Sequence, residues 1–102
     1  MTDKAGARDR GGAFRVTELQ RTPNPNALKF VLDRAISQQP TSFLSASAAT
    51  GHPLAEKLFA IPGVCSVLLL GDFVTVNKTP DAGWEEITAR VKQILAAGAK
   101  NR

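Results

Sequence analysis

Cysteine, histidine and tryptophan each occur once in this 102-residue chain, and tyrosine does not occur at all. A single cysteine, Cys65, excludes an intramolecular disulfide and any metal site built from several thiolates of one chain. The first residues contain no long apolar run, which argues against a secretory leader or a membrane span. Asp3 and Asp9 stand among the arginines of that segment, where an organellar presequence would be poor in acids, so a cytoplasmic location is expected. Charge of one sign is not concentrated: the net charge is +4, with Lys4, Arg8 and Arg10 in a glycine-rich head and Lys100 and Arg102 at the end. Scattered basic residues without interleaved aromatics do not form a nucleic-acid surface, so neither nucleic acid nor membrane is expected as a partner.

What is present fits one α+β domain. Hydrophobic residues make up 43% and charged residues 22%, ordinary proportions for a chain of a size that closes a single core. Residues 1–13 are too polar and glycine-rich to offset the entropy of ordering and are expected to form a tail, as are 98–102, leaving a domain over 14–97. Phe14, Val16 and Leu19 among polar residues suit a first strand, and Leu28, Phe30 and Leu32 alternate along a second. Between them Thr22-Pro23-Asn24-Pro25-Asn26 is a rigid turn, because two prolines fix φ and remove two donors while each Asn can bond its own backbone. Arg34 to Pro40 reads as a connection, and Thr41 to Leu44 as a short edge strand.

Pro53 to Ile61 is a helix with Leu54, Leu58 and Ile61 on one stripe, opened by Pro53 and closed by Pro62-Gly63. Val64 to Leu70 and Phe73 to Lys78 form a hairpin around Gly71-Asp72. A two-residue loop pairs Leu69 with Val74, a three-residue loop sets Phe73 against Leu69, and the residues leave both open. Alternation puts Cys65, Val67 and Leu69 on one face. Trp84, Ile87, Val91, Ile94 and Leu95 fall at helical spacing in a last helix, with Asp81 as its N-cap and a Glu86–Arg90 pair along it. The order β-β-(β)-α-β-β-α implies an antiparallel sheet of about four to five strands with two helices on one face.

Catalytic chemistry has little to stand on, and no enzyme is expected. Cys65 and His52 are the nucleophile and base available, but the whole central helix separates them and no third group orients them. His52 reads more simply as a loop or cap residue, and Cys65 as a small apolar side chain at a strand start. No phosphate-binding glycine loop follows a strand. The stronger lead is apolar surface: if one face of the second hairpin lies under the helices, Leu68, Leu70 and Phe73 face elsewhere and offer a partner-binding or dimer surface.

Two stretches carry a family resemblance. Thr22-Pro23-Asn24-Pro25-Asn26-Ala27-Leu28-Lys29-Phe30 is the first. The second is Pro53-Leu54-Ala55-Glu56-Lys57-Leu58-Phe59-Ala60-Ile61-Pro62-Gly63-Val64, running into Ser66-Val67 and Asp72-Phe73-Val74-Thr75-Val76, with Trp84-Glu85-Glu86-Ile87 continuing it. Over Val16 to Leu95 the chain resembles the N-terminal domain of the Nfu, or NifU-like, iron-sulfur cluster scaffold proteins. Those proteins hold their cluster through a Cys-x-x-Cys pair in a second, C-terminal domain, and no such ligand maps onto this chain. Cys65 falls where the family has Lys or another polar residue.

The resemblance therefore implies a stand-alone, non-catalytic accessory or interaction domain in iron-sulfur cluster assembly or delivery. It is expected to be a monomer or weak dimer that binds scaffold or recipient proteins and holds no cofactor alone, meeting a cluster through a partner. Two alternatives stay open: a dimer that binds a metal or cluster through Cys65 with external thiols, and a thiol enzyme using Cys65 and His52.

Overall fold

The computed structural model describes residues 14–97, so the two expected tails lie outside the described residues. The elements are β1 (Val16–Arg21), β2 (Ala27–Leu32), β3 (Ser37–Phe43), α1 (Pro53–Phe59), β4 (Val64–Gly71), β5 (Phe73–Lys78) and α2 (Trp84–Ala97), with a short 3-10 turn at Ser47–Ala49 before α1. The strands form one antiparallel sheet in the order β1-β2-β5-β4-β3. Five strands and two helices make the α+β fold that the sequence implies.

Side-chain alternation decides which face is the core. Phe30 and Leu32 of β2, Val67 and Leu69 of β4, and Val74 and Val76 of β5 are buried together with Leu54 and Leu58 of α1 and Ile87, Val91 and Leu95 of α2. Burying each such side chain contributes about 1.5–3 kcal/mol. The β4–β5 hairpin has the two-residue loop: Leu70 pairs with Phe73, Leu69 with Val74 and Val67 with Val76. Gly71 supplies the positive φ of +56° that this tight turn uses.

Several boundaries differ from the expectation for local reasons. β3 begins at Ser37 and carries Pro40 within it. An edge strand tolerates a proline whose missing N–H costs no ladder bond, and the pairing with β4 is irregular between Ser37 and Thr41. α1 stops at Phe59, where the Ala60 N–H donates to the Glu56 and Lys57 carbonyls; Ile61 is still buried.

Gly63 then turns the chain at φ +96°, and an added Cβ there would lie 2.5 Å from the Ala82 Cβ, so the following turn presses directly on this glycine. Asp81 is not the N-cap of the last helix: Ala82 N–H donates to the Thr79 carbonyl, closing a turn over 79–82, and the helix starts at Trp84. The Arg90–Glu86 pair on α2 is present at 3.1 Å, on the solvent side.

Candidate functional site

The site builds up from β4. Val67-Leu68-Leu69-Leu70 is apolar at every position. Val67 and Leu69 enter the core, so Leu68 and Leu70 emerge on the opposite face of the sheet, where they are half-buried. The hairpin register sets Phe73 directly beside Leu70, and the β2–β5 register sets Val31 beside Phe73. Leu68, Leu70, Phe73 and Val31 thus form one contiguous apolar patch across three strands. Lys29 lies at its border, with Nζ 4.1 Å from the centre of the Phe73 ring, a cation–π contact. Thr75 and Ser42, the partners of Leu68 on either side, give the patch a polar rim.

The thiol and the imidazole stay apart. A bulge between Val64 and Ser66 inserts an extra residue opposite the end of β5. The expected alternation fails there: Cys65 leaves the face of Val67 and Leu69 and is exposed, its Sγ donating to the Asn77 carbonyl at 3.4 Å. His52 is the N-cap of α1, its Nδ1 accepting the Ala55 N–H at 3.2 Å and its ring edge-on to Phe43 at 5.1 Å. Each group is engaged by its own local partners, so the geometry assembles no nucleophile–base pair. Among the described residues no three His, Cys, Asp or Glu side chains gather as a metal site.

The Thr-Pro-Asn-Pro-Asn turn has a connecting role that its residue types alone did not reveal. Thr22 Oγ1 donates to the Ala27 carbonyl, and Asn26 N–H donates to Asn24 Oδ1, fixing the turn from within. Lys78 Nζ, on a residue only 8% exposed, then donates to Asn26 Oδ1 at 3.1 Å and to the Thr79 carbonyl at 3.3 Å. Trp84 Nε1 donates to the Pro25 carbonyl at 3.0 Å. The turn is therefore fastened to β5 and to the start of α2. Beside it lies an open groove of about 660 Å³ lined by Leu19, Pro25, Leu28, Trp84 and Thr88. A lone Trp near a helix start was the sequence signal for this contact, but nothing in the sequence indicated its partner.

These features can be set beside known proteins. Residues 17–101 match the family described as "Scaffold protein Nfu/NifU N terminal". The chain belongs to the Nfu/NifU N-terminal family. Among curated relatives, the human "NFU1 iron-sulfur cluster scaffold homolog, mitochondrial" is 38% identical, covering 79% of this chain and 34% of its own length. Arabidopsis thaliana "NifU-like protein 4, mitochondrial" is 35% identical, with coverages of 79% and 30%. The chain thus spans about a third of the length of the curated relatives it matches. In fold it is similar to a NifU-like protein from Saccharomyces cerevisiae, with a TM-score of 0.75 at 22% identity over 94% of this chain and 86% of that one. It is also similar to protein SAV1430 from Staphylococcus aureus, with a TM-score of 0.65 at 22% identity over 78% and 96%.

The cytoplasmic expectation is overturned by the curated relatives, which are named as mitochondrial proteins. The missing apolar run spoke only to secretion and membrane insertion, and the case against an organellar address rested on Asp3 and Asp9 alone, two acids beside Lys4, Arg8 and Arg10 that do not decide a compositional bias. Mitochondrial addresses are amphipathic and arginine-rich and need no such run. Among the described residues no helix is long and apolar enough to cross a membrane.

Proposed function

We propose that this domain is a non-catalytic docking module of iron-sulfur cluster assembly or delivery, and that it presents the Leu68, Leu70, Phe73 and Val31 face to a cluster-carrying or cluster-receiving protein. One observation carries the reading. An antiparallel strand with water on one side alternates apolar and polar residues, whereas a strand covered on both faces reads as a continuous apolar run. β4 has the second composition over its stretch 67–70, and the helices cover one face. Membership of a scaffold family supplies the class of partner. The cluster is cargo in this reading, held by the partner: one thiol from each of two copies falls short of the four ligands an ordinary cluster uses.

The test mixes the purified chain with a cluster-loaded scaffold protein and an apo-recipient, and follows complex formation and the transfer rate. Complex formation or a changed rate is expected with the native chain, and loss of both with Leu70→Ser. If neither quantity responds to the native chain, the proposal fails.

A further inference from the structure

The two edges of the sheet are unequal. β3 carries Pro40 and an irregular ladder, devices that blunt an edge against further pairing. At the other edge, no strand among the described residues pairs with β1 beyond β2. Its one large apolar side chain, Leu19, is 41% exposed at the mouth of the groove beside α2.

The hydrogen-bond parity of β1 can be worked out from its neighbours. Leu32 N–H donates to the Asp72 carbonyl, and Lys78 N–H to the Asn26 carbonyl, so the even-numbered residues of β2 point their backbone groups at β5. Lys29 and Val31 therefore point theirs at β1, where they meet Gln20 and Glu18. It follows that the backbone groups of Leu19 and Arg21 point outward.

We infer that this edge pairs with the same edge of a second copy of the chain, antiparallel, with Leu19 on the two-fold axis. In that register the two Leu19 residues exchange both hydrogen bonds and their side chains meet on the groove side, while Glu18 lies opposite the second copy's Gln20 and Arg21 opposite its Thr17. No like charges face one another. Moving the axis to Glu18 sets carboxylate against carboxylate, and moving it to Arg21 sets guanidinium against guanidinium. Placing it on Gln20 sets Leu19 against the second copy's Arg21 and brings Pro23, which has no N–H, into the ladder. The Leu19 axis is thus selected by charge, apolar contact and hydrogen bonding together. The bulge between Val16 and Glu18 keeps the ladder short, so the dimer is weak and concentration-dependent.

Sedimentation velocity of the full chain over a wide concentration range tests this. The average mass is expected to rise from the 10.9 kDa monomer toward twice that value. Leu19→Lys, which puts two ammonium groups on the axis, is expected to weaken the association by about tenfold or more. A second variant is independent of that substitution's effect on folding. Leu19→Cys in a Cys65→Ser background should cross-link on mild oxidation, because hydrogen-bonded antiparallel pairs hold their Cα atoms about 5.5 Å apart, within disulfide range. Gln39→Cys in the same background, on the β3 edge, should not. A chain that stays monomeric at every concentration overturns the inference. So does a dimer that cross-links through position 39 rather than 19, or a monomer whose β1 edge captures an extended apolar peptide instead.

Discussion

On the helix side of the sheet Val67, Leu69, Val74 and Val76 are essentially sealed from solvent, while their immediate neighbours Leu68, Leu70 and Phe73 stay half-buried on the other side, with no element among the described residues over them. The two sets are chemically alike and belong to the same two strands. Their difference lies in the cover, since α1 and α2 both lie on one face and no element among the described residues forms a third layer. The covered face holds the fold together. The other has the composition of a surface built to be covered, the ground on which a docking role is proposed for it.

The sharpest way to break that division is to damage each face in turn. Phe30→Ala on the covered face removes a fully buried ring and is expected to cost about 3–5 kcal/mol, read from urea unfolding. A loss under about 1 kcal/mol would mean that this face is not where stability resides. Lys78 is the one charged residue buried on the covered side among the described residues. Asn26→Ala strips its amide partner and should cost about 1–3 kcal/mol in the same assay.

On the other face, Leu70→Ser is expected to change stability by less than about 1 kcal/mol, the range of a single cross-strand pair, while weakening partner capture about tenfold or more in a titration. A variant with unaltered capture would move the docking site elsewhere. Smallest of all, Cys65→Ser at the exposed bulge should shift stability by no more than about 0.5 kcal/mol. It should also leave the iron content after anaerobic reconstitution unchanged; iron bound by the native chain and lost in this variant would restore the reading in which Cys65 is a ligand.

Much of this contrast was legible in the sequence, because both periodicities are strong. The helical stripe of Ile87, Val91 and Leu95 and the strand alternation of Phe30 and Leu32 read directly as core. The run Val67-Leu68-Leu69-Leu70 already required two faces. What could not be read depended on single-residue irregularities and on distant partners. The bulge that turns Cys65 outward changes the parity of one strand without any glycine to announce it. Pro40 looked like the end of a connection because its tolerance depends on lying at an edge, a fact of the sheet order rather than of its neighbours in the chain. The start of α2 was misplaced for a similar reason: Asp81 is a good cap by residue type, but the turn over 79–82 and the anchoring of Trp84 on Pro25 place the first helical residue beyond it.

That anchoring has a kinetic side. The hairpins β1–β2 and β4–β5 are each local in sequence, but β2 and β5 meet in the middle of the sheet, and the contacts that clasp them, Lys78 to Asn26 and Trp84 to Pro25, join residues 52 and 59 positions apart. Closing so long a loop is the entropically slow event of folding, and each hairpin alone has too little to bury to persist. We expect the clasp to form with or after the joining of the hairpins. Asn26→Ala should then act mainly by speeding unfolding, whereas changes along the β2–β5 seam should slow folding. Stopped-flow measurements that found Asn26→Ala slowing folding alone would place the Thr-Pro-Asn-Pro-Asn turn inside the nucleus, as the point from which the sheet is assembled.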